Sequence, residues 1–252
     1  MKRILSSILI LGLSLLFAQA GQTASTTINT VAYPVRVLLV VAHPDDEYEM
    51  AGTVYRVAKE LSGIVDQLIL TDGEAGYRYS SLADKYYDLD LTNESVGRKQ
   101  LPRIRREEAE HAGRILGIRH QWFLNQKDEH YTLSAEEVLE NSWNRHAISR
   151  TIVRHLQQGH YDFVIVLLPT QDTHGEHKAA SILTLQAIQQ LPPAQRPIVF
   201  GAQASAGDSG TYQPLSNYPF TATNSAEPAF VSIVMSVSAM TTLSPIRSWS
   251  TG

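Results

Sequence analysis

The chain has 252 residues, no cysteine and a net charge of −4. Without cysteine, disulfides and every thiolate zinc site are excluded. The mildly acidic balance, with no basic cluster, argues against nucleic acid as a partner, and no internal repeat is visible.

Lys2 and Arg3 precede an apolar run from Ile4 to Phe17, followed by Ala18-Gln19-Ala20. A charged start, a short apolar stretch and a small-x-small ending predict a signal peptide over residues 1–20. The run is shorter than the roughly 20 residues a membrane span needs. The expectation is therefore a secreted or periplasmic protein with no stable membrane anchor after cleavage. Residues 21–33, rich in Ser, Thr and Gln, read as a flexible lead-in. Residues 34–203 are expected to hold one α/β domain.

A first strand is predicted over Val35 to Ala42, and from Val37 on it is apolar at every position, the pattern of a strand buried on both faces. It ends in His43-Pro44-Asp45-Asp46-Glu47. A helix is predicted from Glu49 to Leu61, with Met50, Val54, Val57 and Leu61 at helical spacing. Val65 to Leu70 is a second strand, closed by the glycine-containing turn Thr71 to Gly76, which has neither the Walker nor the dinucleotide spacing. Tyr77 to Gly97 lacks a period and reads as a long surface excursion of the kind that often forms a lid. Leu101 to Leu116 is a helix stopped by Gly117. Most of its charges suit a solvated face, but Arg105 and Glu108 share a face and either is a candidate to meet the crevice.

His120 to Leu124 is the third predicted strand and Ala135 to Gln158 one long helix. Phe163 to Leu168 is a fourth strand, again apolar throughout, ending in a second polar cluster, Pro169 to His177. A helix follows over Lys178 to Leu191, and Ile198 to Ala202 is the fifth strand. Strands alternating with helices indicate an α/β fold with a mostly parallel, Rossmann-like sheet and helices on both faces. Beyond this the pattern degrades. Residues 204–252 read as an irregular segment, with strand character only near Ser232 to Val237, and one reading is a truncated or frameshifted ending.

Side chains just past the carboxyl ends of parallel strands face the crevice where such sheets bind ligands. Crowded carboxylates there call for a cation. Catalytic zinc takes three N/O protein ligands and keeps one position open, and His43, Asp46 and His177 can supply the three. Iron(II) or another divalent ion suits the same set. Asp45 remains free to move protons as a general base, and His174, as imidazolium, is placed to stabilise an oxyanion or protonate a leaving amine. Each cluster alone has a bland explanation as a helix cap; two at two strand ends favour a site. His111, His120, His130, His146, His155 and His160 stand alone and are set aside.

His43-Pro44-Asp45-Asp46-Glu47 after an apolar strand resembles the signature of the LmbE/PIG-L zinc-dependent N-acetylglucosaminyl deacetylases. Gly73-Glu74-Ala75-Gly76, Arg105-x-x-Glu108-Ala109 and His174-x-x-His177 follow in the expected order. The resemblance implies an LmbE-like fold, zinc on His43, Asp46 and His177, Asp45 as base and His174 at the tetrahedral intermediate. It also implies substrate contacts from Arg105 and, to sugar hydroxyls, from Asp128. The late motif departs from the family's usual His-Pro-Asp-His by reading His174-Gly175-Glu176-His177, with Glu176 one methylene longer than aspartate.

The expected activity is removal of acetyl from an N-acetylglucosamine-type sugar or glycoconjugate. The rival expectations are a non-catalytic sugar- or metal-binding protein and an amidase acting on a non-sugar N-acyl substrate. Oligomeric state has no readable signal.

Overall fold

The structure, a computed structural model, describes residues 33–205, 211–224, 228, 230–234 and 239–246. The expected signal peptide, and the lead-in up to residue 32, lie outside the described residues. Among those described, no helix is long and apolar enough to cross a membrane.

The five parallel strands expected from the sequence all form: β1 (Arg36–Val41), β2 (Ile64–Thr71), β3 (Ile118–Gln126), β4 (Phe163–Leu167) and β5 (Ile198–Ser205). Their order in the sheet is β3-β2-β1-β4-β5. Apart from Arg36, β1 is apolar and splits between two cores by the pleat. Leu38, Val40 and Ala42 pack on one face, and Val37, Leu39 and Val41 on the other. The first face is covered by α5 (Arg145–Gly159) and α6 (Gly175–Gln189). The second is covered by α1 (Ala51–Tyr55) and α3 (Glu94–Leu116). Two buried faces are the physical reason for the absence of alternation.

Several boundaries differ from expectation. The excursion after β2 is helical rather than loop, with a 3-10 turn at Glu74–Tyr79 and α2 at Ser81–Tyr87. It carries a small core of its own, Tyr77, Leu91, Leu101 and Ile104. Helix α3 starts at Glu94, not at Leu101, because the Asn93 side chain caps the amides of Ser95 and Val96. Gly97 lets the helix approach the excursion: a Cβ there would stand 2.3 Å from the Leu91 carbonyl oxygen. The long helix expected from Ala135 is broken. A short α4 (Ala135–Glu137) and a π-turn lead to an extended Trp143, after which Asn144 caps α5 through the Ala147 amide. Within residues 204–252, expected to be irregular, the described residues include strands. Strand β5 runs on to Ser205, and β6 (Phe230–Val234) and β7 (Ala239–Ile246) extend the sheet, with β7 antiparallel to both β5 and β6.

At the amino ends of the strands, away from the crevice, Asp66 is fully buried. It accepts hydrogen bonds from Arg119 Nε (2.9 Å) and Nη2 (2.5 Å), from the Tyr161 hydroxyl (2.8 Å) and faces His120 Nδ1 at 3.2 Å. Burial opposes its charge, but Arg119 and Tyr161 outweigh it and hold the carboxyl below its ordinary 3.8. A depressed folded-state value means that this stabilisation is present above the unfolded pKa and is lost as pH falls through the folded one. Asp66→Asn should therefore lose about 3 kcal/mol of unfolding free energy at pH 7. In urea titrations that gap should narrow as pH is lowered from neutral through about 4 toward 3; a gap independent of pH would remove the ion pair as its cause.

Candidate active site

The sheet order reverses between β1 and β4, and their carboxyl ends flank the crevice this creates. From β1 the chain enters a tight turn, with Asp46 N–H donating to the His43 carbonyl at 3.4 Å and Tyr48 N–H to the Asp45 carbonyl at 3.2 Å. From β4 it reaches α6, which begins three residues earlier than its pattern predicts, so His174 is the N-cap residue and His177 lies in the first turn. Buried Ser181 ties that turn to β4, its hydroxyl donating to the Leu167 carbonyl at 2.7 Å. Buried Lys178 ties it to two loops, donating to the carbonyls of Leu133 (2.8 Å) and Gln171 (2.7 Å).

Three ligand-type atoms converge across the crevice. His43 Nδ1 stands 3.0 Å from His177 Nε2, and Asp46 Oδ1 stands 3.4 Å from the first and 3.3 Å from the second. Tetrahedral ligands at about 2.0–2.1 Å from zinc stand roughly 3.3 Å from one another, so the triangle fits. Each ligand is held from behind. Asp46 Oδ2 accepts the amides of Ala42 (2.9 Å) and His43 (2.8 Å). His43 Nε2 donates to Glu176 Oε2 at 2.9 Å, which leaves the Nδ1 lone pair facing the triangle. His177 Nδ1 pairs with the Thr173 hydroxyl at 3.1 Å. This is the outer support expected of a metal-binding imidazole.

The field agrees with the geometry. Burial works against a charged His43, yet Asp46 and Glu176 raise its pKa well above 6.5. Burial likewise opposes ionisation of Asp46, but His177 and His43 hold its carboxyl well below the ordinary range. A field that draws a proton onto a buried imidazole is one that suits a divalent cation.

His174 also brings a nitrogen within 4.8 Å of those of His43 and His177. The tighter triangle excludes it, and its Nδ1 is buried without a hydrogen-bond partner. Burial, reinforced by His43 and His177, pushes its pKa down to about 4. The imidazole is thus neutral at pH 7 and offers an N–H rather than a charge.

Asp45 points the other way and is exposed. Its Oδ1 accepts from Arg105 Nη2 at 2.6 Å, while Arg105 Nη1 donates to the Gly73 carbonyl at 2.8 Å. Here the two glycines of the turn after β2 acquire a reason. A Cβ at Gly73 would stand 2.3 Å from Arg105 Nη1, one at Gly76 2.9 Å, and Gly73 also has a left-handed φ of 70°. The turn is a berth for the guanidinium. Asp128 is buried nearby, accepting the Ala75 amide at 3.2 Å. His43, Asp45, Asp46, Arg105, Asp128, His174 and His177 all line one cavity of about 710 Å³.

Sequence reasoning did not find the role of Glu176. Burial pushes its carboxyl up and His43 opposes that shift; it orients His43, not the neighbouring His174. The signal was an acid between two histidines at the start of a helix. Gly175 in place of proline is explained too, since its amide donates to the Thr132 carbonyl at 2.6 Å, a bond proline cannot make. Glu176→Gln keeps the shape but removes the charge, and should weaken zinc binding about tenfold in competition with a chelating dye, with unchanged circular dichroism. Unaltered zinc affinity would reduce Glu176 to a packing residue.

The fold is a Rossmann-like α/β sheet in which two histidines and a carboxylate, His43, His177 and Asp46, come together at the topological switch point. The model of the family "PIG-L: GlcNAc-PI de-N-acetylase" matches residues 38–188, and the chain belongs to that family. A curated relative, described as a probable N-acetyl-alpha-D-glucosaminyl L-malate deacetylase 2 of Bacillus cereus, is 25% identical over 163 residues, covering 65% of each chain. The chain thus spans just under two thirds of that relative's length. Among solved structures, the 4-carboxy-2-hydroxymuconate hydratase GalB of Pseudomonas putida aligns with a TM-score of 0.50 at 19% identity, over 67% of this chain and 65% of that one. The N,N'-diacetylchitobiose deacetylase of Pyrococcus horikoshii aligns at 0.47 and 22% identity, over 66% and 59%.

Proposed function

We propose that the chain is an exported, metal-dependent hydrolase that removes the N-acetyl group from an N-acetylglucosamine-type sugar or glycoconjugate. The observation that carries this reading is the triangle of His43 Nδ1, Asp46 Oδ1 and His177 Nε2, with edges of 3.0 to 3.4 Å. Family membership supports the substrate class. Zinc held there supplies Lewis acidity toward an amide carbonyl and brings the pKa of water near 7.

The protein's own groups do the rest. Asp45 takes the proton of the attacking water at a carboxylate oxygen, held in place by Arg105. His174 donates its N–H to the developing oxyanion, and the proton taken by Asp45 passes to the amine nitrogen as the C–N bond breaks. Asp128 and the far side of Arg105 orient the sugar hydroxyls. Export rests on the amino-terminal pattern of Lys2, Arg3 and the apolar run to Phe17.

The test is acetate release from a panel of N-acetylated sugars and non-sugar N-acyl compounds, before and after a chelator and after zinc is restored. Loss and recovery on acetamido sugars is the expected result. Turnover on non-sugar amides alone would make it an amidase of another class, and zinc binding without any turnover would make it a binding protein.

A further inference from the structure

Arg98 stands two turns before Arg105 on the same face of α3. Its half-buried guanidinium ties three segments together. Nε donates to Glu94 Oε1, on its own helix, at 2.9 Å. Nη1 donates to Glu74 Oε1 (2.9 Å), in the turn after β2, and to the Asp128 carbonyl (3.2 Å), in the loop after β3. Nη2 donates to the Glu129 carbonyl at 2.6 Å. The buried Tyr77 ring lies against the guanidinium, its centroid 5.2 Å from Cζ.

An exposed ion pair within a helix, such as Arg103 with Glu107 farther along α3, has little consequence. Arg98 differs because three of its four bonds leave the helix, and two of them go to carbonyls that the planar fork reaches together. The turn and the loop that it joins are the ones that place the two sugar contacts proposed above. The turn holds Arg105 through the Gly73 carbonyl, and the loop carries Asp128, whose Oδ2 accepts the Ala75 amide. Without the guanidinium, the described bonds directly between them are two long ones, from the Ala75 amide to Asp128 and from the Asp72 amide to the Gln126 carbonyl, both 3.2 Å. Arg98 and Glu74 do not line the cavity themselves.

Building on the hydrolase reading above, we infer that Arg98 is a positioning residue for the sugar. Through Glu74 and the carbonyls of Asp128 and Glu129 it fixes the Arg105 guanidinium and the Asp128 carboxylate relative to one another. Groups held at a set separation bind a ring without first having to be ordered. The triangle of His43, Asp46 and His177 hangs on other segments, the turn after β1 and the start of α6. Asp45 keeps its direct bond to Arg105. Arg98 therefore governs affinity for the sugar more than the chemical step.

The experiment follows acetate release from N-acetylglucosamine by the zinc-loaded full chain, with affinity for the same sugar measured by calorimetry and zinc by elemental analysis. Arg98→Ala should raise KM and Kd about tenfold, the equivalent of one lost hydrogen bond. Zinc content should be unchanged and kcat within about twofold of the wild type. Guanidinium chloride, added far below denaturing concentration, should return KM toward the wild-type value. Glu74→Gln keeps the shape of the turn and should act in the same direction, which decides the matter should Arg98→Ala not fold. The two changes together should cost less than the product of their separate effects. Arg103→Ala, which also removes an ion pair from α3, should leave KM unchanged. Affinity unmoved in Arg98→Ala, a fall in kcat or zinc in place of affinity, or an equal effect from Arg103→Ala would each overturn the assignment. Acetate release with unmoved affinity would strike Arg98 and leave the hydrolase reading standing; weakened binding in Arg98→Ala without acetate release from any form would do the reverse.

Discussion

His177→Ala is expected to lose zinc retention and to lower acetate release by about a thousandfold, the rate equivalent of the several kcal/mol that Lewis-acid assistance contributes. His177 is the best of the three proposed ligands for this test because it is the least entangled. Removing His43 would strand the buried Glu176 carboxylate, which now pairs with it at 2.9 Å. Removing Asp46 would leave the amides of Ala42 and His43 without their acceptor, a cost to folding in its own right. Loss of His177 removes its contacts with the Thr173 hydroxyl, His43 Nδ1 and Asp46 Oδ1, but Glu176 keeps His43 and the two amides keep Asp46, and the His177 side chain is already 21% exposed. Metal content by elemental analysis and acetate release should fall together, with the thermal midpoint of the metal-free protein little changed. Full zinc content in this variant would move the third ligand to His174, whose ring nitrogen also lies within 4.8 Å of the His43 nitrogen.

Asp45→Asn should behave differently: a loss of kcat between about a hundredfold and ten thousandfold at undiminished metal content. Asp45 is no member of the triangle, and its Oδ1 faces Arg105. Asparagine still presents an oxygen to Arg105 Nη2, so the side chain keeps its place and loses only its basicity. Unchanged turnover would remove Asp45 as the base. A fall in metal content would show that Asp45 contributes to the ligand set after all.

The fold was legible because β1 from Val37 on and β4 are apolar on both faces, and continuous runs such as Val37 to Ala42 have few other uses. What escaped the pattern depends on contacts distant in sequence. The excursion from Tyr77 looked aperiodic because its helices are short and pack on a private core with Leu101 and Ile104. The break at Trp143 was hidden because apolar residues continue at helical spacing on either side of it. Strands β6 and β7 gain their backbone partners from each other and from β5, so neither needed a strong pattern of its own.

For the site, the sequence by itself determined the inventory: which histidines and carboxylates end which strands. Strand-end position and residue type are local properties, readable without coordinates. Only the tertiary structure decided orientation. It turned Asp46 toward His43 and His177 and Asp45 away to Arg105, though the two are neighbours in the chain. It carried Glu176 onto His43, 133 residues distant, and set the Gly73 to Gly76 turn around a guanidinium from α3. Those choices follow from which backbone amides, carbonyls and pleat faces the folded sheet brings side by side, and no spacing along the chain records them.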